Sequence, residues 1–550
     1  MENKFLKGAM VLSISMFLTK FLGILYVIPF NQLVGPSGAA LYQYAYTPYS
    51  LFISLSTLGI PVGIAKFVSK YNAVGEYDTS RKMFRYAIYS MIGLGIIGFL
   101  ILYNMAPVFA QQALGGETKL TNSVEDVAMV IQMVSFALLI IPVMAIFRGF
   151  FQGNQNMIPT SISQFLEQVI RIVFILIGSY FIINIKGGSI EEAVAFSVFS
   201  AFLAGLLAFL VLYYYWLKNV KHYNHLYKQS VAHEPRDYNK LFIELVSYAV
   251  PFAILGLMTS LLQSVDQATY NGYMIKGGID LEVVENAYGM YGTFLYKIIM
   301  IPVSFAIAFG QPLIPQLSHY LISGNMKIIR KDIILAIQLT CFITIPAVIG
   351  MSLLAKPIYI AFFNSSTPGY NEMGGEIFQF GVLLGLFMAL YSIITSILQG
   401  IGGQWYGITF LVIALIIKYI GNILLIPILY SNGATLSTML AYLFCICGSL
   451  YVIKIKTGFK LNQLFKRLFA IMVFTFIMAI VVSIIKLVLD LWVPYQESRL
   501  NAIIYVGISG GIGAITYFTL SGYFDLLTSL LGPKYSFKEI KKLLLKGKKK

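Results

Sequence analysis

SHYLISGNMKIIRK, residues 318–331, and SKYNAVGEYDTSRK, residues 69–82, carry Ser, Tyr, Gly, Arg and Lys at the same five places, at a constant offset of 249. Each copy follows an apolar run containing Ile-Pro-Val, Ile60-Pro61-Val62 in one case and Ile301-Pro302-Val303 in the other. A second correspondence lies at an offset of 247: FFQGNQ (150–155) and ILQGIG (397–402) each precede an apolar run that carries a cation, Arg171 and Lys418. A polar connection written twice between oily stretches marks an internal repeat.

Those stretches set the class. The chain has 550 residues, 58% hydrophobic and only 11% charged, with a mean hydropathy of +0.78. A soluble domain carries about 25% charged residues. The apolar runs are about 20 residues long, enough to cross ~30 Å of hydrocarbon at 1.5 Å per residue. The expectation is an all-α polytopic membrane protein with fourteen spans: 9–30, 44–65, 86–108, 127–147, 160–184, 192–217, 245–270, 286–310, 333–355, 377–399, 406–430, 433–453, 468–489 and 500–523. The start, MENKFLKGAMVL, has a basic region but no small-residue cleavage site, and reads as a retained first helix.

With a cytoplasmic amino terminus, 29 Lys and Arg fall on inside segments and five outside, at Lys119, Lys186, Lys276, Lys356 and Arg499. That is a positive-inside pattern with both termini cytoplasmic. The net charge of +16 then faces anionic lipid, and the tail KEIKKLLLKGKKK belongs to the same pattern; nucleic acid is not the expected partner. The repeated motifs place spans 1–6 and 7–12 in the same orientation. The expected organisation is an N-lobe (1–217), a cytoplasmic linker (218–243), a C-lobe (244–456), two added helices (457–523) and a basic tail (524–550). Parallel repeats of this kind point to a transporter whose lobes rock about a central site.

Charges inside spans cost roughly 2.5–3.5 kcal/mol each, so they are candidates for function. They are Lys20, Arg171, Lys297, Lys418 and Lys486, with the acids Glu167 and Asp266. Lys486 lies near the outer end of its span and can snorkel. Glu167 and Arg171 are four apart and can pair, on a stripe with Thr160, Gln164 and Gln168 that either lines a path or glues helices. Lys20 and Lys297 stand either as anion ligands or in ion pairs with Asp266 or Glu167. Setting Lys486 aside leaves four cations against two acids, a balance that suits a phosphate or pyrophosphate group better than a drug cation. Cys341, Cys445 and Cys447 read as small buried residues, and His222, His225 and His233 as a solvated linker. No GxxxxGK[ST] stretch is present, so an ATP-driven pump is not expected, and neither is a cofactor.

Three stretches carry a family resemblance: MFLTKFLGI (16–24), KIIMIPVSFAIAFGQPLIPQLSHYLISGN (297–325) and VGPSGAALYQYAY (34–46). With twelve spans in two lobes plus two more, the sequence resembles the multidrug/oligosaccharidyl-lipid/polysaccharide exporter superfamily, and within it the MurJ-type lipid II flippases, in their Gram-positive, SpoVB-like branch. The resemblance implies translocation of undecaprenyl-pyrophosphate-linked peptidoglycan precursor across a bacterial cell membrane, for cell-wall synthesis and cell shape. It also implies that Lys20 and Lys297 hold the lipid-linked substrate, and that 468–489 and 500–523 form a groove for its isoprenoid tail. YSLFISLSTLG (49–59) lacks the span-2 arginines of Gram-negative relatives, so Arg148, Arg171 or Lys418 would substitute. Membrane potential or a Na+ or H+ gradient would drive the cycle, with Asp266 and Glu167 as ion-coupling candidates. Expected partners are lipid II or a related polyprenyl-linked glycan, membrane lipids and cell-wall synthesis proteins. The rivals are a flippase for a capsule, teichoic or spore cortex glycan, and a drug/cation antiporter.

Overall fold

The computed structural model describes residues 26–57, 60–114, 122–154, 156–230, 253–322, 324–365, 367–460 and 462–531, with isolated positions such as Gly23 beside them. Among these residues the regular structure is entirely helical. In chain order the helices are α1 (Val27–Thr57), α2 (Ile60–Ala73), α3 (Tyr77–Asn104), α4 (Ala106–Ala113), α5 (Val124–Ser135), α6 (Ala137–Gly153), α7 (Ile158–Tyr180) and α8 (Ile190–Lys228). Then follow α9 (Met258–Lys276), α10 (Leu281–Tyr288), a π-helical segment (Gly289–Leu295), α11 (Tyr296–Ile322), α12 (Met326–Leu353), α13 (Ala355–Phe363), α14 (Tyr370–Gly381) and α15 (Leu384–Gly400). The last are α16 (Gln404–Thr457), α17 (Asn462–Trp492), α18 (Arg499–Tyr523) and α19 (Leu526–Leu531).

Ten stretches of described residues are long and apolar enough to cross a membrane. Most of the expected first span, 9–30, lies outside the described residues, as do 231–242 of the expected linker and 532–550 of the basic tail. The adjoining spans 406–430 and 433–453 are the two arms of α16. Tyr430 breaks the helix with φ 54° and ψ −132°. The arms then run antiparallel: Lys456 Nζ donates to Gly402 O at 2.8 Å, Gly448 backs onto Phe410, and Gly421 onto Ser437. The stretch 31–43, left between the first two expected spans, is helical instead. Gly35 (φ 67°) breaks α1, Pro36 opens its second part where the missing N–H costs nothing, and Ala39 and Ala40 are fully buried there.

The repeat is present atom by atom. In the first copy Gly75 takes φ 80° and Glu76 N donates to Tyr71 O at 2.9 Å; in the second Gly324 takes φ 70° and Asn325 N donates to Tyr320 O at 3.0 Å. A left-handed residue just past a helix end lets the chain turn while its N–H groups meet the last carbonyls, and glycine takes that conformation without steric penalty. The 247-offset pair has a packing role. A Cβ on Gly153 would meet Ala65 O at 2.8 Å and Val68 Cβ at 2.7 Å; one on Gly400 would meet Ile314 O at 3.2 Å and Leu317 Cβ at 3.0 Å. Residues 314 and 317 are 65 and 68 advanced by 249. The repeated glycines therefore let α6 approach α2, and α15 approach α11, in the same way.

The packed chain divides into two compact units, Met1–Thr293 and Phe294–Lys550. This packing boundary is distinct from the repeat boundary read at 218–243. Helices α9 and α10 pack on α1 within the first unit, through Gln267 Nε2 to Tyr44 O (2.9 Å), Asn271 Nδ2 to Tyr44 Oη (2.7 Å) and a stacked Tyr44–Tyr288 pair. Gly289 meets the backbone of α1 directly: a Cβ there would fall 2.2 Å from Pro36 O and 3.0 Å from Ala40 N. Gly289→Val is expected to destabilise the protein by about 1–3 kcal/mol, since backbone cannot yield as a side chain can. Thermal unfolding of the purified variant checks this.

The first unit's core is aromatic: Phe84 packs on Phe147 and Phe150 with centroids 5.3 and 4.2 Å apart, and Phe150 on Tyr223. Tyr223 and Tyr227 lie on the last turns of α8, which extends past the expected span end into the segment read as linker; Arg81 of the repeated motif stacks over Tyr227. In the second unit, α17 and α18 are tied to α12 and α13. Arg467 donates to Gln338 Oε1 (2.8 Å), Tyr517 Oη to Phe342 O (2.9 Å), and Arg499 to Ala361 O and Phe362 O.

Candidate functional site

Helices α6 and α7 form a hairpin whose turn ends at Pro159, in the first turn of α7. Residues 160, 163, 167 and 171 recur at helical spacing, so one face of α7 is polar and meets α6. Arg148, on the last turns of α6, donates Nε to Ser163 Oγ (2.8 Å) and Nη2 to Glu167 Oε2 (2.9 Å). Arg171 donates Nη2 to Glu167 Oε1 at 2.6 Å. Thr160 Oγ1 in turn donates to Arg148 O, and Ser163 Oγ to Thr160 O. One carboxylate thus serves two guanidinium groups, and the cluster keeps a net charge of +1.

The three charged side chains are 14–24% exposed, between lipid-buried and solvated. Nε of Arg171 is buried and makes no hydrogen bond among the described residues, so the cluster retains an unused charged donor. Tyr42, Tyr46 and Tyr49 of α1 lie within electrostatic reach of Arg171, and Tyr42 stacks on Tyr46 at 5.7 Å. Gln168, beside this face, closes on Gly23 at a distance a Cβ would make 3.2 Å. Arg148 lies one residue past the expected span 127–147; it belongs to α6 and to this cluster, because Ser163 and Glu167 hold it against α7. Lys20 lies outside the described residues.

Lys418 occupies the repeat position of Arg171 but has a different environment. Residue 414, the counterpart of Glu167, is alanine, and Lys418 is fully buried. Its Nζ donates to Ala434 O (2.8 Å), Ser437 Oγ (3.0 Å) and Thr438 Oγ1 (2.6 Å), and Ser437 hydrogen-bonds Asn422. An ammonium has three donors, and all three are spent on the other arm of α16. In this structure the Lys418 ammonium braces the α16 hairpin. Lys418→Met is expected to lower stability by about 1–3 kcal/mol through the acceptors left unmet. Surviving transport should scale with the folded protein, measured as activity per monodisperse molecule.

Lys297 opens α11 in the second unit, directly after the π-helical segment, and is half-buried. A π turn re-aims the side chains that follow it and is frequent at functional sites. Asp266, on α9 in the first unit, is 1% exposed and accepts from Tyr291 Oη at 2.9 Å. Lys486 donates to Leu353 O at 2.6 Å, consistent with an anchoring role near a span end. Cys341 and Cys445 are buried and Cys447 is exposed, the different faces that a spacing of two requires. No group of three potential metal ligands occurs among the described residues.

Sequence reasoning missed Glu285. It lies one residue before the expected span 286–310, yet it is fully buried on α10 and accepts from Asn122 N (3.2 Å) and Asn122 Nδ2. The only signal was its position: it lies at the very edge of an apolar run, beside Asn286, which loop composition equally explains.

Comparison with known proteins follows the same lines. Residues 5–321 match the family model described as polysaccharide biosynthesis protein. The chain is 36% identical over 532 residues, 97% of each chain, to the lipid II flippase MurJ of Bacillus subtilis (strain 168). It is 24% identical to stage V sporulation protein B of the same organism over 62% of each chain. Among solved structures it is similar to lipid II flippase MurJ in an inward closed conformation, with a TM-score of 0.63 and 16% identity, covering 94% of this chain and 99% of that one. An inward-facing multidrug resistance transporter of the MATE family matches with a TM-score of 0.58 and 16% identity, over 82% of this chain and 98% of that one.

Proposed function

The chain belongs to the MurJ-type lipid II flippases within the polysaccharide biosynthesis protein family, and from that premise we propose that it carries lipid II from the inner to the outer leaflet of the bacterial plasma membrane by alternating access. The observation that carries the proposal is the Arg148–Glu167–Arg171 cluster: a half-buried, net-positive site in an apolar helix pair, with a charged donor unspent. A pyrophosphate is a dense anion whose oxygens accept several charge-assisted hydrogen bonds at once, and guanidinium groups meet that geometry better than ammonium groups. Lys297 and Lys20 are the further ligands in this reading. The isoprenoid tail stays in lipid along α17 and α18 while the head group crosses.

Both termini lie in the cytoplasm in this reading, and the work is done by membrane potential or an ion gradient, without catalysis or a cofactor. A potential of 100 mV supplies about 2.3 kcal/mol per charge moved, enough to reset a cationic unit between turnovers. Asp266 is the coupling acid in this reading: it is a carboxylate buried on a helix of the first unit, and Tyr291 Oη donates to it. Cell-wall synthesis proteins are the natural partners on the product side.

Cells depleted of their own lipid II flippase provide the test. Expression of this chain is expected to sustain growth and rod or coccal shape. Lysis despite a normal amount of the protein in the membrane would reassign it to another polyprenyl-linked glycan, and drug efflux dependent on Asp266 more than on Lys20 or Lys297 would reassign it to a cation antiporter.

A further inference from the structure

A second cationic feature lies in the other unit, away from the cluster on α6 and α7. Between the end of α12, the start of α13, α14 and the end of α17 is a cavity of about 210 Å³, lined by Ser352, Lys356, Gln379, Lys486 and Tyr495. Lys486 spends one of its three donors on Leu353 O, at the carbonyl end of α12, and has two left. Lys356 is half-buried and makes no hydrogen bond or ion pair among the described residues, and its stem is fixed by close contact with Gly375, where a Cβ would fall 2.4 Å from Lys356 Cγ. Asp490, one turn beyond Lys486, accepts from Tyr505 Oη at 2.7 Å. Two ammonium groups facing one small cavity repel each other, and an anion between them removes that cost.

The setting decides what the anion is attached to. On the flank of α17 next to Lys486, Leu487, Leu491 and Trp492 are 70–82% exposed. A tryptophan and lysines at a span end mark the level of lipid head groups. A ligand seated here has its charge in the cavity and apolar surface beside it.

We infer that the cavity bounded by Lys356 and Lys486 binds the head-group phosphate of an anionic phospholipid, with the acyl chains against α17. This head-group site shares no residue with the cluster proposed for the lipid II pyrophosphate and does not depend on it, although its acyl chains and the isoprenoid tail would both lie along α17. It is small enough for a phosphodiester and its glycerol carbons, and too small for a disaccharide-pentapeptide.

The single reporter is Trp492, read in the full chain after Trp216→Phe and Trp405→Phe, reconstituted in vesicles of phosphatidylglycerol and phosphatidylcholine with one or the other lipid brominated. Brominated phosphatidylglycerol is expected to quench Trp492 at an effective affinity about fivefold or more above brominated phosphatidylcholine, from roughly 1 kcal/mol per lysine near the ligand. Lys356→Gln with Lys486→Gln should bring the ratio to one, and the corresponding double arginine variant should keep it, which separates lost charge from lost fold. Excess inorganic phosphate should leave the ratio unchanged. A ratio near one in the parent, or one that survives the double glutamine variant, overturns the inference; erasure by inorganic phosphate overturns the lipid source.

Discussion

Glu167→Ala is expected to cost about 3 kcal/mol of stability, more than removing either arginine that it serves. The reasoning is a count of charges left behind. Glu167 holds Arg148 at 2.9 Å and Arg171 at 2.6 Å, and its loss strands two guanidinium groups that are 15% and 24% exposed. Breaking a buried pair by removing one partner costs about 3–5 kcal/mol, and the partial exposure here argues for the lower end. Arg148→Ala leaves the Glu167–Arg171 pair one helical turn apart, and Arg171→Ala leaves Glu167 on Arg148. Each remaining pair is neutral, so each should cost about 1 kcal/mol. Thermal unfolding of the three variants gives the order directly. An equal loss for all three would mean that the groups act through packing rather than charge.

Arg171→Gln is expected to reduce lipid II flipping by roughly 10–100-fold while the protein stays folded. The change takes the cluster from +1 to neutral and removes one charge-assisted contact to the pyrophosphate, worth about 1.5–3 kcal/mol. Lys297→Gln should show a loss of similar size, because Lys297 follows the π-helical segment and is half-buried within an apolar helix. Glu167→Gln separates the anion reading from its rival by sign. It raises the cluster to +2, so substrate binding per folded molecule should hold or tighten. A cation antiporter would lose transport with that acid. Flipping rates normalised to monodisperse protein, from reconstituted vesicles, distinguish the two.

The fold was largely legible because its signals are long and redundant. Apolar runs of about 20 residues, a lopsided Lys/Arg count and a polar motif repeated at 249 all describe the same helices, and Gly75 and Gly324 then adopt the same left-handed turn. What failed locally did so for local reasons. Residues 31–43 fell between expected spans because Gly35 and Pro36 break the pattern, yet Pro is harmless at a helix start, and the second part of α1 begins there. The site was legible in part. Spacing of four paired Glu167 with Arg171, but nothing in spacing brings in Arg148, which reaches Glu167 across a hairpin and 19 positions. Lys418 shares the repeat position of Arg171; the sequence separates them by Ala414 in place of Glu167, and the structure by the three oxygens from the returning arm of α16. Glu285 sat at the edge of a run, where a carboxylate is usually solvated, and its burial depends on Asn122, 163 positions earlier.

Cationic side chains within apolar helices are, in this account, ligands for a phosphorylated lipid head that the chain moves between leaflets. The most direct measurement is the amount of lipid II accessible in the outer leaflet of cells whose own flippase is depleted, with and without this protein. The account predicts that the chain restores the signal, and that Arg171→Gln, and Lys20→Ala together with Lys297→Ala, each return it towards the depleted level with the protein still in the membrane. A signal that is the same with and without the chain, or that none of these substitutions lowers, would contradict it.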